Sequence, residues 1–123
     1  MVRRGSVYWW RCPNHDREHI QSGSRPVVVV SNNMSNAASD IIQVVPFTTK
    51  VKTPFPTRVP MVFDSRMSIA LTEQVTTIPV SELGDYISTL HDFQMQLIDN
   101  ALAMQLGIKP ISSSSARFSA YED

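Results

Sequence analysis

The chain of 123 residues is poor in the residues that cross-link or anchor small proteins. It has a single cysteine, Cys12, which cannot form a disulfide within the chain and is typical of a protein of the reducing cytoplasm. Purely apolar runs, such as Val27–Val30, do not exceed four residues and are far too short to span a membrane. The first residues turn from basic to aromatic and polar without the apolar stretch of a signal peptide. We therefore expect a cytoplasmic protein with no membrane segment.

The formal net charge of the chain is zero, but the positive and negative side chains are unevenly distributed along it. Residues 1–68 carry nine basic and four acidic side chains, whereas residues 69–123 carry two basic and seven acidic ones. A basic half can attract an anionic ligand even in a neutral protein, because the local potential acts on the ligand. The same split also fits two halves that neutralise each other in the fold.

Short apolar segments in the first two thirds of the chain predict β-strands. They are rich in β-branched and aromatic residues, and proline or polar residues separate them. Val27–Val30 is apolar at successive positions, which predicts a central strand buried on both faces. Pro54, Pro56 and Pro60 lack amide donors and predict a loop or a sheet edge. The segments are Ser6–Trp10, Val27–Ser31, Ile41–Phe47, Val59–Phe63 and Ile69–Val75. They predict a mainly β fold, a small barrel or sandwich.

A helix is predicted near the end of the chain, where the apolar spacing changes. Asp92 is its predicted N-cap, Gly107 its left-handed terminator, and Pro110 prevents its continuation. A shorter helical turn is predicted at Pro79–Leu83. The helical apolar positions are Phe93, Leu97, Ile98, Ala101, Leu102 and Leu106. We expect one domain at residues 1–109, with loops at Cys12–Ser24 and Asn32–Asp40, and a mobile serine-rich tail at 110–123.

The polar loop before the valine strand is the densest candidate site. Arg25 ends this loop, and its planar guanidinium suits a phosphate. From the residues alone, a solvated arginine paired with a carboxylate is the favoured alternative. Thr48, Thr49 and Lys50 end the third predicted strand and could hold a phosphate, or be ordinary strand-end residues. Trp9 and Trp10 should point to opposite faces of a strand, so that one of them could stack on a base or cover an apolar edge.

A metal site is not expected. Cys12, His15 and His19 are residue types that bind zinc, but no second pair of ligands completes a tetrahedral set. The sequence also lacks a glycine-rich phosphate loop and the common hydrolase motifs.

Five short motifs in order resemble the MazF/PemK (Kid) toxins, the ribonuclease half of bacterial toxin–antitoxin pairs. The resemblance runs from Val2 to Ile108. Each motif is unspecific alone, and the order and spacing make the set specific. The motifs are Arg4-Gly5, Gln21-Ser22-Gly23-Ser24-Arg25-Pro26, Val45-Pro46-Phe47-Thr48-Thr49-Lys50, Leu71-Thr72-Glu73-Gln74-Val75 with Thr77-Ile78, and Leu106-Gly107.

The resemblance implies an SH3-like small barrel with a C-terminal α-helix, acting as a homodimer. It implies a sequence-selective endoribonuclease that cleaves single-stranded mRNA without a metal or other cofactor and is bound by a cognate MazE-like antitoxin. In that chemistry the 2′-hydroxyl attacks the adjacent phosphorus and leaves a 2′,3′-cyclic phosphate and a 5′-hydroxyl. DNA lacks the attacking hydroxyl and should not be cleaved.

The resemblance also implies roles for individual residues. Arg25 matches the arginine that contacts the scissile phosphate, and Thr48 matches the threonine that binds a phosphate oxygen. His19 and Glu73 are the implied acid/base candidates, with Glu73 open to either that role or a plain salt bridge. The implied RNA-binding residues are Gln21, Ser22, Thr49, Lys50, Lys52 and Gln74.

Two positions depart from the family pattern. Ile20 stands where the common loop has a glutamate, and Leu71 stands where some relatives have an arginine. Acid/base roles built on those two residues do not transfer to this chain. The alternative is a gyrase-poisoning toxin of the CcdB type, which shares the fold and would not need the pair of Arg25 and Thr48 for RNA cleavage.

Overall fold

The computed structural model describes residues 1–12 and 23–109, which form seven strands and two α-helices. Two short 3₁₀ turns, Thr72–Gln74 and Val80–Glu82, separate the later strands. The strands are β1 (Ser6–Cys12), β2 (Gly23–Val29), β3 (Ile41–Thr48), β4 (Arg58–Phe63), β5 (Arg66–Leu71), β6 (Thr76–Pro79) and β7 (Leu83–Thr89), and the helices are α1 (Asn33–Ala38) and α2 (Asp92–Leu106).

The strands form one antiparallel sheet that curls into a half-open barrel. Their order is β4-β5-β3-β2-β1-β7, and β6 pairs with β3. The first half of β3, Ile41–Val44, pairs with β6, and its last two residues, Phe47 and Thr48, pair with β5. Two different strands therefore pair with successive parts of β3. This confirms the predicted mainly β small barrel with a C-terminal helix. Because β4 ends the strand order, Pro60 lies in an edge strand, as its missing amide predicts.

Strand β2 is central, as the valine run predicts. It pairs with β1 and with β3, and Val27, Val28 and Val29 are fully buried. Alternate side chains of this strand enter two apolar clusters, one on each face of the sheet. In the first cluster Val28 packs with residues of α2, including Ile98. In the second cluster Val27 and Val29 pack with residues of β3 and β6.

Helix α2 has well-formed ends. Its N-cap is His91, and the side chain of Gln94 accepts a hydrogen bond from the His91 backbone N–H at 2.8 Å. The predicted N-cap Asp92 is therefore wrong by one residue, and Asp92 is the first helical residue. Gly107 ends the helix in the left-handed conformation at φ +69°, which confirms its predicted role.

Three local predictions were wrong because tertiary contacts override the local sequence signal. The predicted loop Asn32–Asp40 contains helix α1, which Asn32 caps and which the buried Asn36 holds against Ser31. The predicted strand Ile69–Val75 ends at Leu71 and continues as a 3₁₀ turn. The sequence reading missed β7, whose side chains are largely half-buried or exposed. The predicted turn at Pro79–Leu83 is confirmed by the 3₁₀ turn there.

Two predicted segments lie wholly or partly outside the described residues. Of the loop predicted at Cys12–Ser24, Cys12 ends β1 and Gly23 begins β2, while residues 13–22 are outside. The tail predicted at 110–123 is outside as well. Within residues 1–12 and 23–109, no helix is long and apolar enough to cross a membrane.

The packing of α2 against the barrel yields a stability prediction. Ile98 is fully buried in the first cluster, whereas its neighbour Leu97 is 46% exposed. Ile98→Ala should lower the free energy of unfolding by about 3 kcal/mol, because it leaves a cavity between helix and sheet. Leu97→Ala, the matched control, should change it by less than about 1 kcal/mol. Urea denaturation followed by circular dichroism measures both, and equal losses would contradict this packing.

Candidate active site

The structure brings Arg25 and Thr48 together at one end of the sheet. In the pairing of β2 with β3, Val27 lies opposite Pro46 and Val29 opposite Val44. The paired residues end there, two positions before Arg25 on β2 and two after Pro46 on β3. The guanidinium Nη2 of Arg25 donates a hydrogen bond to the carbonyl of Phe47, the residue before Thr48, at 3.5 Å. The guanidinium of Arg25 therefore reaches the end of β3, where Thr48 lies.

Both side chains lie on the sheet face opposite helix α2. Side chains alternate along a strand, so Arg25 shares the face of Val27 and Val29, and Thr48 shares the face of Val44. Those valines belong to the second cluster, whereas the α2 residues belong to the first. The apolar part of this face lies along the middle of the strands, and its polar part lies at their ends. A ligand can therefore reach Arg25 without displacing the helix.

The hydroxyl of Thr48 is oriented by its own loop. Its Oγ1 accepts a hydrogen bond from the backbone N–H of Lys50 at 3.1 Å. With that acceptor position filled, the hydroxyl hydrogen remains available to donate to an anionic oxygen. Thr49, Lys50 and Lys52 follow on an exposed stretch of chain, which adds two positive charges close to the strand end.

The thiol of Cys12 is affected by the charged residues at this end of the sheet. It ends β1 opposite Gly23, and its side chain is half-buried. Burial raises the pKa of the Cys12 thiol above its ordinary value, the positive charge of Arg25 opposes that rise, and the negative charge of Glu82 adds to it. Arg25 and Glu82 are thus both close enough to the thiol to act on it. Within the described part of the chain, no cluster of three or more acidic, histidine or cysteine residues could hold a metal.

Residues 3–106 match the family of PemK-like, MazF-like toxins of type II toxin–antitoxin systems. The chain belongs to this family. It is 32% identical over 122 residues to the endoribonuclease MazF of Staphylococcus saprophyticus, covering 94% of this chain and all of that protein. This match identifies the chain as an endoribonuclease of the MazF type and favours that activity over gyrase poisoning.

Solved structures of MazF-like proteins share the fold. An endoribonuclease from a Mycobacterial species, solved in complex with its cognate antitoxin, superposes with a TM-score of 0.75 at 28% identity, covering 90% of this chain and all of that one. A second Mycobacterial endoribonuclease gives a TM-score of 0.73 at 31% identity, covering 89% of this chain and 95% of that one. The sheet and helix described above are therefore the MazF fold.

In this MazF-like chain, Glu73 lies in an ion pair with Arg58. Its Oε2 accepts a hydrogen bond from Nε of Arg58 at 2.9 Å, and both side chains are about three quarters buried. The other carboxylate oxygen, Oε1, is buried with no hydrogen-bond partner among the described residues. Arg58 also donates to the carbonyl of Thr53, which ties β4 to the chain before it. The structure thus places Glu73 where it holds the 3₁₀ turn against β4.

The remaining predicted residues divide into two groups. Gln74 is exposed beside Glu73 on the same 3₁₀ turn. His19, Gln21 and Ser22 lie outside the described residues, and their roles remain predictions.

One residue near the site was missed by the sequence reading. Glu82, on the 3₁₀ turn before β7, accepts a hydrogen bond from the indole N–H of Trp10 at 2.9 Å. The two residues are 72 positions apart, and no local pattern in the sequence links them. A signal could have come only from recognising β7, since that strand brings the turn beside β1.

The charges around Cys12 predict how fast this thiol reacts. The thiolate is the reactive form, and Cys12 is the only cysteine in the chain, so its alkylation can be followed without interference. Arg25→Ala should raise the thiol pKa further and slow alkylation at pH 8, whereas Glu82→Gln should lower the pKa and speed it. Rates with iodoacetamide across pH 7–10 measure both shifts. Superimposable profiles for the three proteins would show that the charges lie too far from the thiol.

Proposed function

We propose that this MazF-like endoribonuclease cleaves single-stranded mRNA at a selected sequence, without a metal, leaving a 2′,3′-cyclic phosphate and a 5′-hydroxyl. The observation that supports the proposal is the hydrogen bond from Arg25 on β2 to the carbonyl of Phe47 on β3, the residue before Thr48. A guanidinium and a hydroxyl on neighbouring strands can bind two oxygens of one phosphodiester.

The proposed reaction is an internal transfer at phosphorus. The 2′-oxygen forms a bond to phosphorus, the bond from phosphorus to the 5′-oxygen breaks, and the 2′-hydroxyl proton is removed while the leaving oxygen gains one. The transition state carries more negative charge on the phosphoryl oxygens than the substrate does. Arg25 is the residue that would neutralise that charge, and a hydrogen bond from Thr48 would hold one of the oxygens.

We propose His19 for the proton transfers, with Glu73 as the second candidate that the family resemblance implies. An imidazole titrates near neutral pH and can serve as acid or base, and His19 would act from the loop that precedes β2. Glu73 would have to act from within its ion pair with Arg58. We propose that Gln21, Ser22, Thr49, Lys50, Lys52 and Gln74 bind the RNA on either side of the cleaved bond.

The proposed partners follow from the uneven charge and from the relatives. A MazE-like antitoxin with an acidic segment would cover the basic strand ends, as opposite charges steer association. The structure of a Mycobacterial relative bound to its cognate antitoxin supports such a complex. We propose that the toxin is a homodimer and that it acts on mRNA in the cytoplasm.

Removing the guanidinium should abolish cleavage without unfolding the protein. Arg25→Ala should lower kcat at least 100-fold, because the extra charge of the transition state loses its partner. Arg66→Ala removes the same charge from an exposed position at the start of β5 and should cleave normally. The measurement is gel-resolved cleavage of a long, weakly structured RNA in excess EDTA, with the ends mapped.

The chemical groups on the ends of the cleaved RNA provide a control for the cleavage experiment. A 2′-deoxy substitution at the mapped site should make the substrate uncleavable, and the wild-type products should carry 5′-hydroxyl groups. Cleavage by Arg25→Ala near the wild-type rate, or wild-type cleavage that requires a divalent metal, would contradict the proposed mechanism.

The contribution of the Thr48 hydroxyl can be separated from that of the side-chain volume. Thr48→Val removes the hydroxyl at nearly constant volume and should lower kcat about 10-fold or more, since a donor to the transition state is lost. Thr48→Ser keeps the hydroxyl and should retain most of the activity. Single-turnover cleavage of a short RNA containing the mapped site measures both variants, and equal activity of the two would exclude the hydroxyl from the reaction.

A further inference from the structure

Trp10 lies in the same row of side chains as the two proposed catalytic residues. Strand β1 pairs with β2 so that Trp10 is opposite Arg25, and the guanidinium of Arg25 donates to the carbonyl of Phe47, the residue before Thr48. Residues opposite each other on neighbouring antiparallel strands project to the same face. We call Trp10, Arg25 and Thr48 the cross-strand row; it holds an indole, a cation and a hydroxyl in that order.

The indole of Trp10 is held in place from two sides. It packs against the second cluster, and its N–H donates to Oε1 of Glu82 at 2.9 Å. The turn that carries Glu82 is itself fixed, since the amide of Val80 donates to the carbonyl of Asp40 at 2.8 Å and Leu83 pairs with Trp10. A half-buried tryptophan with its N–H satisfied has one preferred orientation.

An oriented aromatic ring beside a phosphate-binding arginine suits single-stranded RNA. Enzymes and binding proteins recognise unpaired bases by stacking them on aromatic side chains. Neighbouring strands are about 4.8 Å apart, so a base joined to the nucleotide at Arg25 can reach the next strand. Trp9 does not satisfy this geometry, because consecutive residues of a strand point to opposite faces.

We propose that Trp10 stacks on a nucleobase adjacent to the scissile phosphate and that Glu82 is the positioning residue that holds its ring. This inference rests on the proposed cleavage of single-stranded RNA and names the subsite that receives one base. It gives Glu82 a role through its hydrogen bond to the indole.

The two tryptophans of the chain make the proposal directly measurable. Trp9 and Trp10 are the only tryptophans, so Trp9→Phe leaves Trp10 as the single indole fluorophore, and Trp10→Phe leaves Trp9. The probe is an RNA oligonucleotide that contains the mapped cleavage site with a 2′-O-methyl group on the attacking position, which prevents cleavage. Binding is followed independently by the anisotropy of a dye on its 5′ end.

We expect the fluorescence of the Trp9→Phe protein to be quenched as the RNA saturates it, with a midpoint equal to that from anisotropy. The fluorescence of the Trp10→Phe protein should change little. Saturation by anisotropy without quenching of Trp10 would overturn the inference. Anisotropy shows in the same titration whether each substituted protein still binds the RNA, so that a failure to fold is recognised separately from an absence of quenching.

Kinetics test the stacking and the positioning role separately. Trp10→Leu keeps an apolar side chain and should raise KM about 10-fold with a smaller change in kcat, since stacking holds substrate and transition state alike. Glu82→Leu removes the acceptor and should raise KM in the same direction, whereas Glu82→Gln keeps an acceptor oxygen and should restore the wild-type KM. Unchanged KM in Trp10→Leu, or a KM of Glu82→Gln as high as that of Glu82→Leu, would contradict the assignment.

The experiment also separates this inference from the proposed function. If wild-type protein neither binds nor cleaves RNA, the proposed function fails, and the inference fails with it. If wild-type protein cleaves RNA while Trp10 is neither quenched nor required for KM, only the inference fails.

Discussion

The burial of β2 on both faces and its pairing on both edges is the constraint on which the rest of the structure depends. Three successive valines, Val27, Val28 and Val29, are fully removed from water, and each methyl-rich side chain favours that state. Because valines occupy both faces, a slip by one residue would still bury valine on each face, so burial alone does not fix the register. The pairing of β2 with β1 fixes it and places Arg25 opposite Trp10.

The polar groups gather where this packing ends. Cys12 ends β1, Gly23 begins β2 and Thr48 ends β3, so three strand termini meet at the same end of the sheet. Backbone and side-chain groups there can reach an anionic ligand, while the apolar middle of each strand stays dry. Helix α2 packs on the other face of the sheet.

Charge is divided between structural and functional use in this molecule. Arg58 and Glu73 form a shielded ion pair that joins β4 to a 3₁₀ turn, and Arg4 pairs with Asp99 to join the N-terminus to α2. Within the described residues, Arg25 donates its side-chain hydrogen bond only to a neutral carbonyl, and no ion pair engages it. The even balance of charges in the whole chain conceals this difference.

Local pattern alone determined the valine strand, the edge position of Pro60, the C-terminal helix and its glycine terminator, because each depends on periodicity or on the backbone limits of one residue type. The position of Thr48 at the end of β3 could also be predicted, whereas Arg25 was predicted to end a loop and lies inside β2, which begins at Gly23. The tertiary structure decided the rest. Helix α1 depends on the burial of Asn36, the ion pair of Glu73 on Arg58 of another strand, and the orientation of Trp10 on a carboxylate 72 residues away. Each of these contacts joins segments that are brought together only when the sheet curls. The residues that surround each partner in the sequence do not indicate the contact.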